Sequence, residues 1–320
     1  MHNPLVSIII PTYNRAHTIG ATIDSVIAQS YQNWECLVVD DRGEDTTLEV
    51  IENYKTTDAR INYLIRPTTS PKGASACRNY GLSQSKGEYV IFLDSDDVLM
   101  TYCLKERIAK ILENTDKDFW VFPMYIQNEN QPKETVTIPI SENYLQDFLS
   151  CKVHWGIMCT TWNAHFVKKI KGFNEFYPRL NDPEVHIRAM LASKNNYSVF
   201  TDCLPDSIYM AAAINDKYKF AINYANSLKL FIPDICKELN VNGLANDKRY
   251  LKNYLNHYFL NFYQFNSRIN NTNVLAVFYT NKIISFFLYL KILLLYYLFL
   301  IFNAFLKKIK QGLHKLFKKI

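Results

Sequence analysis

The chain has 320 residues, 48 % hydrophobic and 14 % aromatic, enough for one large or two modest domains around a sizeable core. Its formal charge of +6 sits in residues 307–320, which hold six lysines and no acid; the remaining 30 basic residues balance 30 acids, which argues against a basic face for nucleic acid. Seven cysteines without a Cys-x-x-Cys pair argue for reduced thiols in a cytosolic protein rather than a disulfide frame or a zinc site.

The chain opens Met1-His2-Asn3-Pro4 and enters a strand-like run at once, so no signal peptide is expected. Leu5 to Pro11 reads as a buried strand stopped by proline. Thr12 to Arg15 is the loop after it, and Ile19, Ile23, Val26 and Ile27 give residues 18–30 helical spacing. Trp34 to Val39 is a second strand ending in Asp40-Asp41, and Asp45 or Thr46 can cap a helix running to about Tyr54. Ile61 to Ile65 is a third strand, and Lys72-Gly73 leads into a helix over Ala74 to Ser83. Strand and helix alternate every 25–30 residues or so, the rhythm of βαβ units with a mostly parallel sheet. Right-handed crossovers then bring the strand ends to one rim, where ligands of open α/β sheets bind.

Gly87-Glu88-Tyr89-Val90-Ile91-Phe92-Leu93-Asp94-Ser95-Asp96-Asp97 is the most informative stretch. Val90 to Leu93 suits a buried parallel strand, and three carboxylates leave its C-terminal end together. Asp94 and Asp96 are two apart and can point the same way on the pleat. Acids crowded in this way repel one another unless a cation sits among them, and hard Mg²⁺ or Mn²⁺ takes oxygen ligands and shares substrate phosphates. An acidic turn capping the following helix is the plainer alternative. Further on, Met100 to Asn114 reads as a helix and Phe119 to Ile126 as one strand. Residues 128–150 read as a polar excursion over an acceptor side. Trp155 is either a stacking platform for a sugar or a buried ring, and His154 is a conceivable metal ligand.

Pro11-Thr12-Tyr13-Asn14, Val39-Asp40-Asp41, Lys72-Gly73 with Cys77-Arg78-Asn79-Tyr80-Gly81-Leu82, and Gly87 through Asp97 resemble, in order and spacing, the nucleotide-sugar-binding half of glycosyltransferase family 2. The resemblance covers about residues 4–125 closely and 155–210 loosely. It implies the GT-A fold, an α/β architecture with a mostly parallel sheet flanked by helices, and an inverting transfer that depends on a nucleotide sugar. It also implies donor contacts from Pro11, Thr12, Tyr13, Asn14, Asp41, Lys72, Arg78, Asp94, Ser95 and Asp96. Asp41 would accept from a uracil N–H, and Arg78 would face the diphosphate. Asp94 and Asp96 would handle ribose and a divalent ion, Mn²⁺ or Mg²⁺, acting as Lewis acid on the leaving group.

Around Asn181-Asp182-Pro183-Glu184, the spacing of Val185, Arg188, Ala189 and Ala192 is helical, with Pro183 in the first turn and Asp182 at the N-cap. Capping alone explains an aspartate there. The resemblance adds that the family carries an acidic pair at this place and an arginine six residues beyond it, so it implies Asp182 as general base and Arg188 as a catalytic partner. Asn181 stands where the pair's first acid is usual, and Glu184 is a candidate substitute.

Residues 215–271 read as helices without site chemistry. Ile283 to Phe302 is twenty residues with only Ser285 and Lys291 polar, just long enough to span a bilayer. Lys291 near its middle would cost about 2.5–3.5 kcal/mol in a span, and one span would separate a cytosolic active site from the basic tail. Attachment in the membrane plane avoids both objections. Leu306, Ile309, Leu313, Leu316 and Ile320 recur at three and four with lysines between, a basic amphipathic pattern suited to an anionic surface or to packing on a partner.

The chain therefore reads as three parts. Residues 1–212 form a GT-A domain, with nucleotide-sugar binding over 1–125 and the acceptor side and base over 126–212; 213–272 is a helical extension, and 273–320 a membrane-associating tail. The expected activity moves a sugar, most simply from a UDP-sugar, to a hydroxyl of a saccharide or lipid-linked saccharide in cell-surface polysaccharide synthesis, at the inner face of the cytoplasmic membrane. A sugar nucleotidyltransferase and a non-catalytic membrane-bound nucleotide-sugar binder are the alternatives.

Overall fold

The computed structural model describes the backbone of residues 2–129, 131–211 and 216–317, and their side chains up to residue 302. In chain order the elements are β1 Val6–Thr12, α1 Ile19–Ile27, β2 Trp34–Asp40, α2 Thr47–Thr57, β3 Ile61–Ile65, α3 Ala74–Gln84, β4 Tyr89–Phe92, β5 Val98–Leu99 and α4 Cys103–Glu113. Then follow β6 Phe119–Val121, β7 Met124–Asn128, β8 Glu134–Val136, α5 Tyr144–Leu149, β9 Thr160–Asn163, α6 Ala164–Lys169, α7 Asn181–Ser193, β10 Tyr197–Val199 and β11 Ser207–Ala211. Four long helices close the chain, α8 Lys217–Val241, α9 Lys252–Asn261, α10 Arg268–Thr280 and α11 Phe286–Phe317.

The main sheet has seven strands in the order β10-β6-β9-β4-β1-β2-β3. The pairs β1–β2, β1–β4, β2–β3 and β6–β10 are parallel, and only β9 runs against its neighbours. Every residue of β1, β2 and β4 is buried, because helices cover both faces of such a sheet and exclude water from it. In register, Thr12 lies opposite Asp40 and Ile9 opposite Phe92, so the ends of β1, β2 and β4 share one rim. Helix α3 lies against β1 and β2 at Gly81, where a Cβ would come within 2.5 Å of Ile9 Cγ2. That approach fixes how far Arg78, one turn earlier, stands from the rim.

A second sheet of order β5-β11-β7-β8 crosses beside this rim. It corrects the expectation of one strand over Phe119 to Ile126. Pro123, with no N–H to give a ladder, breaks that run between β6 in the main sheet and β7 in the second. Helix α4 begins at Cys103 rather than Met100, whose N–H is used by the Asp206 carbonyl (2.8 Å). The polar excursion of 128–150 contains β8 and α5. From Phe286 the hydrophobic sequence runs on into the lysine-rich sequence as far as Phe317 in one 32-residue helix, α11. Among the described residues no helix is long and apolar enough to cross a membrane. The amphipathic stripe from Leu306 to Ile320 lies outside the described side chains.

Candidate active site

The rim carries a cleft of ≈ 560 Å³. Pro11, Thr12 and Tyr13 line it from the end of β1, Asp41 from the end of β2, Cys77 and Arg78 from α3, and Asp94, Ser95 and Asp96 from the turn after β4. Arg179, Asn181 and Asp182 close it from the start of α7, and Tyr209 and Met210 from β11. Nine of the twelve site residues expected from the sequence therefore meet in one place. A smaller chamber of ≈ 280 Å³ adjoins it, lined by Trp155, Gly156 and Ile157, and shares Asp94, Asp182 and Tyr209 with the cleft.

Three expected residues are not on the lining, and each has a local reason. Asn14 sits in the left-handed region (φ 53°), and its Oδ1 accepts from Glu44 N (2.7 Å), tying the β1–α1 loop to the β2–α2 loop. Gly43 permits this, since a Cβ there would lie 2.9 Å from Asn14 Oδ1. The ammonium of Lys72 stands 3.8 Å over the Tyr13 ring, a cation–π contact beside the cleft. Arg188 turns away: it pairs with Glu184 and donates to the carbonyls of Ile170 and Gly172, both 2.6 Å. The i,i+4 spacing that unites this pair on one helix face also removes Glu184, 2 % exposed, from any role in the cleft.

Charges on the lining are mostly matched. The Asp41 Oδ1 accepts from the buried Arg66, which also donates to the Pro67 carbonyl; Oδ2 has no partner among the described residues. Arg78 pairs with Asp94, and Arg15 Nη2 lies 3.4 Å from Asp96 Oδ2. Burial pushes the Asp96 carboxyl above its ordinary value, against the pull of Arg15. Asp97 is withdrawn from this set. It is 2 % exposed, its Oδ1 accepts from Met210 N (2.9 Å), and burial beside Asp94 pushes it up to about 9. It clasps the turn after β4 to β11 of the second sheet.

Arg179 differs from the other cleft arginines. Its guanidinium lies 4.3 Å over the Phe220 ring, and no carboxylate pairs with it among the described residues. Thr12 Oγ1, Arg78 Nε and Asn181 Oδ1 also lack partners. Buried polar atoms are seldom left so, and these three atoms, with the exposed Arg179 guanidinium beside them, mark where a polar ligand would fit. Arg15, Arg66 and Arg179 were not anticipated. Arg66 had a readable signal, since it directly follows β3 and so reaches the same rim as Asp41.

Asp182 is not the N-cap. The first helical bond of α7 runs from Glu184 N to the Leu180 carbonyl (3.1 Å), with Leu180 left-handed, so Asp182 lies inside the first turn. Its Oδ2 instead accepts from Ile157 N (3.0 Å), across the mouth of the smaller chamber. Burial raises its carboxyl above the usual range, opposed by Arg78 and by the Ile157 N–H. Behind it, the fully buried His186 donates from Nδ1 to the Asp182 carbonyl (2.7 Å) and accepts at Nε2 from Thr160 Oγ1 (2.9 Å). Trp155 is 1 % exposed and packs on Phe148, so the buried reading of that ring holds; His154 pairs with Asp147 (3.0 Å).

Burial pulls the His186 imidazole down to about 4. The unfolded chain therefore binds the proton more tightly than the folded one. Stability from this group is whole above about pH 6.5 and is lost as pH falls towards 4, by roughly 3 kcal/mol. Denaturant unfolding of the wild type and of His186→Asn between these pH values should show the wild type losing its advantage in acid. A constant difference would refute the assignment.

Among the described residues no three His, Cys, Asp or Glu side chains are grouped to hold a metal unaided. Asp94 and Asp96 nevertheless offer hard oxygen donors at one edge of a cleft that also holds Arg78 and Arg179, and Mg²⁺-like ions often take only one or two carboxylates and draw the rest of the shell from water and phosphate. The donor set fits a divalent ion shared with a diphosphate.

Residues 7–169 match the family model described as glycosyl transferase family 2. The chain is 44 % identical over 161 residues to UDP-Glc:alpha-D-GlcNAc-diphosphoundecaprenol beta-1,3-glucosyltransferase WfgD of Escherichia coli, covering 50 % of this chain and 60 % of that protein. It thus spans little more than half the length of that relative. To the E. coli enzyme WfaP, whose description names the same reaction, it is 39 % identical over 231 residues, covering 70 % of this chain and 86 % of WfaP. The crystal structure of S. aureus TarS 1-349 in complex with UDP-GlcNAc superposes with a TM-score of 0.63 at 22 % identity, over 85 % of this chain and 79 % of that one. That likeness shows a shared GT-A fold.

Proposed function

The chain belongs to glycosyl transferase family 2, and on that premise we propose that the cleft transfers a hexosyl group from a UDP-sugar to a hydroxyl of a lipid-linked saccharide. The observation that carries this reading is the convergence of Asp41, Arg78, Asp94, Asp96 and Asp182 on one cleft. WfgD and WfaP, by their descriptions, use UDP-Glc and a diphosphoundecaprenol-linked sugar. Family membership sets aside the nucleotidyltransferase alternative, and a base poised between two cavities favours catalysis over mere binding.

In this reading the nucleotide sugar occupies the larger cleft and the acceptor enters the smaller chamber. Asp41 Oδ2 accepts from the uracil N–H while Arg66 holds the other oxygen. Arg78 and Arg179 meet the diphosphate from opposite walls, where guanidinium suits phosphate oxygens. Asp96 and Asp94 would hold the divalent ion, which supplies Lewis-acid neutralisation of the leaving diphosphate. Asp182 takes the proton of the acceptor hydroxyl as its oxygen attacks the anomeric carbon, and the nucleoside diphosphate departs from the opposite face, so the configuration inverts. Arg188 serves only by holding the start of α7 on the loop after α6. The division into 1–212, 213–272 and 273–320 belongs to the same proposal, with the last part holding the enzyme at the inner face of the cytoplasmic membrane.

A thermal-shift panel of UDP-, GDP- and dTDP-sugars with and without Mn²⁺ tests it. Ligand at a hundred times its Kd should stabilise the fold by about 2.7 kcal/mol. UDP-sugars should act most strongly, and more so with Mn²⁺. Asp96→Asn should erase the Mn²⁺ increment, and Arg179→Ala should weaken UDP about ten-fold, the worth of one charge-assisted hydrogen bond. A chain that responds to no nucleotide sugar in either condition is not this enzyme.

A further inference from the structure

Between Phe286 and Phe302, helix α11 carries one charged side chain, Lys291. Only one stripe of it is seated. Leu288, Tyr289, Ile292 and Leu293 pack against the core, and Tyr296, 8 % exposed, lies against the rings of Phe259 and Tyr263. A buried polar network fixes that seat: Asn271, 1 % exposed, donates from Nδ2 to Tyr296 Oη and to the Tyr263 carbonyl, both 2.9 Å, and accepts from Tyr258. The helix therefore has a set rotation about its own axis.

At 3.6 residues per turn, Phe287, Leu294, Leu298, Ile301 and Phe302 fall on the side opposite this stripe. They are 83, 61, 52, 66 and 59 % exposed. Lys291 is the single polar group among them. A contiguous apolar face of this size marks a surface built to be covered.

Charge selects what covers it. From Phe286 to the end of the sequence there are seven lysines and no acid. A second copy of the chain would bring the same helix with seven more lysines, which repel. A surface that is apolar within and anionic at its boundary suits both features, and lysine among apolar residues can extend its ammonium to that boundary. The seated stripe also forbids lipid all round the helix, so the contact is lengthwise.

We propose that the face of α11 opposite its seat docks lengthwise into the surface of an anionic lipid bilayer, with the lysine-rich sequence that follows supplying the attraction to its headgroups. The docking extends the reading of a lipid-borne acceptor, because it would hold the cleft at the leaflet carrying that acceptor. It stands or falls apart from that reading, since vesicle binding requires neither donor nor acceptor.

The test is flotation of the full chain with vesicles of phosphatidylcholine alone or mixed equally with phosphatidylglycerol. Binding to the mixed vesicles, weakened by salt, is expected. The variant Phe287→Glu/Leu294→Glu/Leu298→Glu should bind them about ten-fold less or worse while keeping its thermal response to UDP. Phe287→Trp, which preserves apolar character should the triple variant misfold, should show a blue-shifted emission when mixed vesicles are added. The proposal is overturned if the wild type floats with neither vesicle, if the folded triple variant binds unchanged, or if the tryptophan emission does not move. It is equally overturned if the wild type is a dimer in solution that the triple variant renders monomeric, for then a second copy covers the face.

Discussion

Replacing Asp182 by asparagine should lower kcat by about 10²–10⁴, the usual worth of a positioned general base, and leave the response to UDP unchanged. Asparagine has the size of aspartate, and its Oδ1 can still accept from Ile157 N, as Asp182 Oδ2 does at 3.0 Å. What it presents to the smaller chamber is then an NH₂ group, which cannot take a proton. Arg78 and Asp94 stay paired, so the donor side should be untouched and the effect should fall on turnover rather than on donor affinity. The pH profile adds a readout that simple loss of structure does not imitate. Burial holds the Asp182 carboxyl above the ordinary carboxylate range. Activity of the wild type should therefore fall as pH drops through that raised value, where the base becomes protonated. Whatever residual activity the asparagine variant has should lack this limb. Unchanged turnover in a folded variant would remove Asp182 from the mechanism.

The parts of the site on strand ends were legible in the sequence because buried parallel strands announce themselves. Val6 to Thr12 and Trp34 to Asp40 are buried throughout, so from Ile8 to Pro11 and from Cys36 to Val39 they are apolar, Ser7 and Glu35 being hydrogen-bonded to each other near the opposite ends, and the polar residues that follow these runs mark the rim. Asp41 and Asp94 to Asp96 were found in that way. What escaped depends on contacts between distant segments. Strand β9, Thr160–Asn163, inserts between β4 and β6 and reverses the sheet's direction there, yet Thr-Thr-Trp-Asn carries no local sign of its partners. Asp182 owes its orientation to Ile157, twenty-five positions earlier, and not to the helix it begins. Asn14 reads as a ligand contact in a motif but acts as a tether, because its amide reaches a loop thirty residues away. Arg188 shows the reverse case: its spacing from Asp182 is right, while three short polar contacts hold it on the outer side of α7.

The largest stability effect is expected far from the chemistry. Arg107 and Asp206 are 0 % and 2 % exposed and meet through two bonds of 2.6 Å, Nε to Oδ2 and Nη2 to Oδ1. Arg107 Nη1 also donates to the Met158 carbonyl (3.0 Å), and the Asp206 carbonyl takes the Met100 N–H (2.8 Å). This pair joins α4 to the segment that enters β11 and to the turn holding Ile157. It therefore locates Tyr209 and Met210 on one wall of the cleft and the hydrogen-bond donor to Asp182 on another. Arg107→Met or Asp206→Leu alone leaves an uncompensated buried charge and should cost about 3–5 kcal/mol. The double variant Arg107→Met/Asp206→Leu removes both charges, and with them the desolvation penalty, so it should recover much of that loss. Urea unfolding of the two single variants and the double variant gives the comparison, with C_m read at constant slope. If the pair only stabilises, the double variant should regain full response to UDP along with its stability. If the bidentate geometry also sets the cleft wall, stability should return while the response to UDP stays reduced, because leucine and methionine restore packing but not the alignment of β11. Single variants within about 1 kcal/mol of wild type, or a double variant as costly as the two singles together, would show that the two sheets are held in place by something other than this pair.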